Sequence, residues 1–329
     1  MFPISVFATE KIERLKVYRF VKSVEGKQVS LQQAKKLVES LASIGFSYPL
    51  DLKKKPPDIY VKPILKLDDN ANGGVPAGSL EIGTLILHPE MHRISKSAVL
   101  AGAEMIIFNR TILGYGSFID SLGKITSSKS MNASNFDVNR YSIDVCSKNH
   151  IGNWWFLDVC TVASEEHKKI SFYHSKTVSG KILKLFETSD NSHHLVSGEL
   201  SKHKFAKYAQ NQFSFSFNSL YQKKISSQFN VSFGQNIKNQ LALKTGIVAG
   251  VTLPIDYARG LSVGLYYQKF SGGFLLGFPR QDFHYGLEVT LPISKEVSIS
   301  VANRVVDSSI NYFDKNSQTL SINFSLLSI

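Results

Sequence analysis

Between Gln212 and Asn218 the chain alternates Phe213, Phe215 and Phe217 with Ser214, Ser216 and Asn218. A strand turns successive side chains to opposite faces, so this stretch has one face suited to hydrocarbon and one suited to water. Phe229, Val231 and Phe233 against Asn230, Ser232 and Gly234 repeat the pattern, as do Leu261, Val263, Leu265 and Tyr267 against Ser262, Gly264, Tyr266 and Gln268. Few soluble strands tolerate three phenylalanines on one exposed face. Short alternating stretches of this kind, separated by turn residues, run from about Asp58 to Ile329 and describe a transmembrane antiparallel β-barrel.

The 329-residue chain contains no apolar run long enough for a helical span, which takes about 20 residues, whereas a tilted strand crosses in about 9–11. Candidate strands begin near Asp58, Ser79, Ser97, Ser117, Arg140, Asn153, Lys168, Lys181 or His194, Gln212, Ser227, Leu241, Gly260, His284, Lys295 and Thr319. Bacterial single-chain barrels have an even number of strands, so we expect about 14 and assign the surplus, Ser79 to Leu87 or Lys181 to Glu187, to a loop. The fold class is all-β, with a short α-helical N-terminal segment.

Residues 1–57 follow a different pattern. Residues 1–8 are apolar and end in Val6-Phe7-Ala8, the look of a signal-peptide remnant cleaved after Ala8. Residues 9–57 are expected to form a periplasmic segment with one helix, and 58–329 the barrel. Ser30 is placed to cap that helix and Gln33 to close a capping box, while Leu31, Ala34, Leu37, Val38, Leu41 and Ala42 recur at helical spacing. Such a one-sided helix needs a surface: a plug, a periplasmic face or a partner protein. Lys16 to Val24 is expected to be a short strand, and Lys53-Lys54-Lys55-Pro56-Pro57 a linker.

If Val99, Ala101, Ala103, Met105 and Ile107 face lipid, parity turns Glu104 and Arg110 toward the lumen, and likewise Asp144, Asp158, Lys244, Glu288 and Arg304. A Lys or Arg on the lipid face at the midplane costs about 2–4 kcal/mol, which favours this register. With both signs present, a solute-selective channel and a salt-bridged, closed interior both stay open. Trp154, Trp155, Tyr266, Tyr267 and Tyr312 suit interfacial girdles. Cys146 and Cys160 share faces with Asp144 and Asp158, so a turn over Asn149 to Asn153 brings them together as a disulfide in an oxidising compartment.

The formal net charge of +12 calls for attraction to anionic lipid, or to a polyanionic solute or polysaccharide. The basic residues are spread out and no motif organises them for nucleic acid, so none is expected. The histidines, among them His150, His167, His174, His193, His194, His203 and His284, show no spacing that fixes a catalytic triad. Neither enzymatic activity nor a cofactor is expected. Asp68, Asn70 and Asn72 open like a calcium loop ending at Gly73, but Ser79 stands where a bidentate Glu would close it. A polar turn is expected there, and no metal site is assigned.

Leu320, Ile322, Phe324 and Leu326 alternate with Ser321, Asn323 and Ser325 before Ile329. This resembles the C-terminal strand of Gram-negative outer-membrane β-barrel proteins, with Ile in place of their common final Phe. The resemblance is a class pattern over the barrel region, and it implies export to the bacterial outer membrane, with its lipid as surroundings. We expect a porin-like transport role, a passage for a small solute or an exported polymer. The alternative is a barrel anchor or assembly factor that recruits a periplasmic partner through its N-terminal helix; a third reading is a soluble, secreted β-sandwich adhesin.

Overall fold

The alternating stretches join into one antiparallel sheet that closes on itself. The computed structural model describes residues 5–44, 57–75, 78–82, 85–114, 116–131, 136–189, 191–221, 225–255, 258–294, 297–324 and 327–328, with backbone alone for 5–12, 255, 258–259 and 327–328. The barrel strands are β1 (Asp58–Asp68), β2 (Ala98–Gly114), β3 (Ser117–Ser130), β4 (Asp137–Gly152), β5 (Trp155–His167), β6 (Phe172–Ser189) and β7 (Ser192–Phe205). They continue as β8 (Ala209–Tyr221), β9 (Ile225–Gly234), β10 (Ala242–Ile255), β11 (Ala258–Leu275), β12 (Phe278–Pro292), β13 (Val297–Ser308) and β14 (Lys315–Phe324). Each pairs with its neighbour in sequence, and β1 pairs with β14, Leu65 opposite Ile322 and Asp68 opposite Thr319. Closure leaves no exposed edge, the condition for placing strands in hydrocarbon.

The surplus strand is Ser79 to Leu87, where Leu80–Ile82 and Leu85–Leu87 form a small separate hairpin. Lys181 to Glu187 is instead the second half of β6. Of the last strand, Ser325, Leu326 and Ile329 lie outside the described residues, as do Lys53 to Pro56 of the linker.

The two ends of the barrel differ. The end carrying β1's start and β14's finish has mostly short turns; Asn153 and Trp154, at φ 44° and 61°, make a two-residue hairpin turn of the left-handed kind that matches strand twist. The opposite, loop end carries residues 69–97. There Ala71 joins Ala98, Leu100, Phe136 and Val138 in a small core. Lys168 Nζ donates to the Asn70 carbonyl at 2.7 Å, and Ile170 N to the Asn72 carbonyl at 3.1 Å. This loop therefore reaches from β1 across to the β5–β6 connection.

Two helices precede the barrel, α1 (Ser5–Val24) and α2 (Leu31–Ser43). In α2 the capping box forms, with Gln33 N donating to Ser30 Oγ at 3.3 Å and Ser30 N to Gln33 Oε1 at 2.9 Å. α1 corrects two expectations: Lys16 to Val24 is helix, not strand, and the segment holds two helices rather than one. Val17, Tyr18, Phe20 and Val21 have strand propensity, but propensity is worth only tenths of a kcal/mol per residue. Leu15, Tyr18 and Val21 lie one helical turn apart, and the first two are 0% and 4% exposed. Burial of that stripe outweighs local preference.

The stripe's seat is the barrel's inner wall. Leu15 and Tyr18 cluster with Phe156, Leu183, Leu185, Leu195 and Leu220, inward residues of β5 to β8 near the short-turn end. α1 thus lies against the inner wall near that end, in the position of a plug.

Candidate functional site in the lumen

Parity sets the lumen. Phe213, Phe215, Phe229 and Phe233 are exposed on the outside, whereas Ser216 and Asn218 between them are buried inside. Ile107, Ile143, Ile182, Leu265, Leu287 and Val301 extend the outer apolar belt around the sheet. Glu104, Asp120 and Asp158 are buried on the inner face. This partition is the reverse of a soluble protein's, and in a closed sheet it fits only a lipid surround. The chain is a membrane-spanning β-barrel.

Inside it, acids and bases along β1 to β7 are clustered. Glu104 receives Lys62 and Lys124, each at 2.6 Å, and Thr126 Oγ1 at 3.1 Å. Arg110 forks onto Asp120 at 2.6 and 2.8 Å, with Lys148 at 3.1 Å from the same carboxylate. The Arg110 guanidinium also lies 3.8 Å from the Phe118 ring centroid and donates to the Ser43 carbonyl at 3.0 Å. A cation at that carbonyl suits the negative end of α2. Lys66 meets Asp68 at 3.0 Å near the loop end.

Asp158 holds the plug. Arg14 Nη1 and Nη2 donate to its two oxygens at 2.9 Å each, and the side chains are 2% and 5% exposed. The planar fork satisfies both carboxylate oxygens at once, and the guanidinium lies 4.7 Å from the Phe156 ring centroid. Next to it, Tyr18 meets Trp154 edge to face with centroids 4.6 Å apart. Burial, reinforced by the Glu187 carboxylate, pushes the Tyr18 phenol above its ordinary value, so it stays a neutral donor.

The remaining expected positions are distributed as follows. Asp144 faces inward beside the bridged pair Cys146 and Cys160, direct cross-strand partners of β4 and β5. Glu288 and Arg304 face inward on β12 and β13. Lys244 is the extra residue of a bulge between Leu243 and Thr245, without a cross-strand partner in the register, and it is exposed. A bulge resets parity, which a strict alternation misses. The calcium-loop residues hold no cation ring. Asn72 Oδ1 accepts from Lys96 N and its Nδ2 donates to the Ile94 carbonyl, Asn70 bridges Gly74, and Asp68 pairs with Lys66.

Of the girdle aromatics, Trp155 and Tyr267 face outward and are exposed, whereas Trp154 packs on the plug and Tyr266 lies inward against Gly286. His194 sits on the outer face, bonded to Ser219 Oγ at 2.8 Å and Thr188 Oγ1 at 2.9 Å, and stacked on Phe217. Ser219 is 0% exposed, so this arrangement ties β6, β7 and β8 together rather than presenting a nucleophile.

Lys62, Asp120, Lys124 and Lys148 escaped the sequence reading although the same parity places them. Arg14 had no such signal, because its helix had been read as something else.

No protein-family model and no curated protein sequence matches the chain. Among solved structures it is similar to OccAB4 of Acinetobacter baumannii, with a TM-score of 0.46, 5% identity and coverage of 84% of this chain and 99% of that one. It is also similar to OccAB2 of the same organism, at 0.45, 7%, 83% and 98%, and to the outer membrane protein OprD from Pseudomonas aeruginosa, at 0.42, 7%, 83% and 93%. Likeness at this level stops at the barrel, whose closure rests on the strand pairing itself.

Proposed function

We propose that this chain spans the bacterial outer membrane as a passage for small solutes, partly obstructed by its own N-terminal helices. The short-turn end, with α1, faces the periplasm, and residues 69–97 face outward, as the usual asymmetry of turn and loop lengths has it. One observation carries the reading. At the short-turn end, inward side chains of β5 to β8 such as Phe156, Asp158, Leu183, Leu195 and Leu220 are buried around the plug, while those of β9 to β13 are mostly half-exposed, including Gln228, Asn230, Thr252, Gln268 and Arg304. A polar wall left uncovered on one side of a closed barrel is a route for water-soluble molecules.

A small solute is favoured over an exported polymer, because α1 occupies the other side of the bore. The assembly-factor reading stays second: it rests on α2, whose Leu31 and Val38 are exposed. No catalytic role is proposed. The test is swelling of liposomes carrying the full-length protein, across a size series of uncharged oligosaccharides. Monosaccharides are expected to enter and the largest members to be excluded, with the cut-off moving upward in Asp158→Asn, which loosens the plug. Exclusion of every member by both proteins would overturn the passage reading.

A further inference from the structure

The inner wall divides electrically. From β1 to β7 it carries acids and bases of both signs, tied to one another in the pairs described above or, for Lys181 and Glu199, at 3.3 Å. From β8 to β11 the inward positions of the regular alternation carry no Asp, Glu, Lys or Arg. That wall is built instead from amides and hydroxyls such as Gln212, Ser214, Gln228, Asn230, Ser232 and Gln268. Between them Gly246, Gly250 and Gly264 keep its surface low. Gln228 lies across Gly250, where a Cβ would come within 2.8 Å of its Nε2.

We infer that this wall is the conducting track and that it selects uncharged, hydroxyl-rich solutes such as monosaccharides over ions of the same size. The inference rests on the passage reading. A hydroxyl donates and accepts, so a polyol exchanges its water hydrogen bonds for bonds to amides and serines almost one for one. An ion entering a narrowed bore loses hydration, and a wall without fixed charge supplies no counter-charge to offset that loss. The charges across the lumen lie on β1 to β7, engaged with one another at contact distance; the clusters Lys62–Glu104–Lys124 and Arg110–Asp120–Lys148 each keep one base in excess, so gluconate is the less hindered of the two ions, and Glu288 and Arg304 on the neighbouring strands are of opposite sign.

The probes are glucose, gluconate and glucosamine, which share a skeleton and differ in charge. Liposomes bearing the full-length protein are expected to swell about fivefold faster in glucose than in isotonic solutions of either charged sugar, the equivalent of roughly 1 kcal/mol. Gly264→Asp puts a second carboxylate on the inner face beside Glu288, its cross-strand partner, where a Cβ meets nothing nearer than the Glu288 carbonyl at 4.0 Å, so there is steric room for it. In that variant glucosamine should gain on gluconate several-fold. Gluconate or glucosamine entering as fast as glucose overturns the selectivity and leaves the passage standing. An unchanged ratio in Gly264→Asp overturns the placement of the track on β11, and impermeability to all three sugars removes the passage reading and this inference together.

Discussion

Cys146 and Cys160 show how much one residue pair contributes in a barrel whose strands are already hydrogen-bonded to each other. The sequence separation of 14 closes a short loop, for which chain-entropy arithmetic gives about 3 kcal/mol. The double variant Cys146→Ser with Cys160→Ser should still form the barrel, since closure comes from the strand pairing, but should unfold at lower denaturant concentration. Mass spectrometry of unreduced protein should find no alkylatable thiol; two would remove the bridge. Register is tested a few strands away. Phe215→Arg puts a charge against hydrocarbon and should cost about 2–4 kcal/mol, visible as a lost folded band in heat-modifiable gel migration. Ser214→Arg should fold, because Ser214 points inward opposite Glu199. Ser216 would be a poorer control: it also faces inward but is 4% exposed and bonded to Ser197 at 2.6 Å, so an arginine there meets packed atoms.

At the level of elements, the strands were legible and the plug was not. Period-two alternation between lipid and lumen leaves a one-residue slip nowhere to go, so β2, β8, β9 and β11 could be assigned inside and outside from letters alone. Ser30 and Gln33 marked the start of α2 because a capping box is local chemistry. α1 lacked such a marker, and what stabilises it lies 144 residues away at Asp158. Bulges are similarly silent, which is why alternation does not fix the face of Lys244. The Arg14–Asp158 pair gives the plug its own test. Asp158→Asn leaves a buried guanidinium without its counter-charge, a loss of about 3–5 kcal/mol that falls on the docking of α1. Limited proteolysis of the folded protein should then cut within residues 13–24 while gel migration of the barrel is unchanged. Arg14→Met combined with Asp158→Leu should restore much of the protection, because no unpaired charge is left in the seat.

For the whole molecule, the net charge of +12 says little about the pore, because the inward acids and bases of β1 to β7 are clustered together with only a small surplus of bases, at Glu104 and Asp120. In planar bilayers under a potassium chloride gradient, any current should reverse close to zero voltage; strong anion selectivity would mean that the surplus loads the lumen. The plug's position also fixes an order of events during biogenesis. α1 leaves the ribosome before the strands do and binds a surface assembled from β5 to β8, so it must wait while the strands that receive it are made and paired. During that interval its apolar stripe has no cover and the bore has no stopper. On the proposed passage reading, a cell making this protein handles, for a time, both a sticky helix and an unguarded hole, and the speed with which α1 finds Asp158 sets how long the membrane leaks.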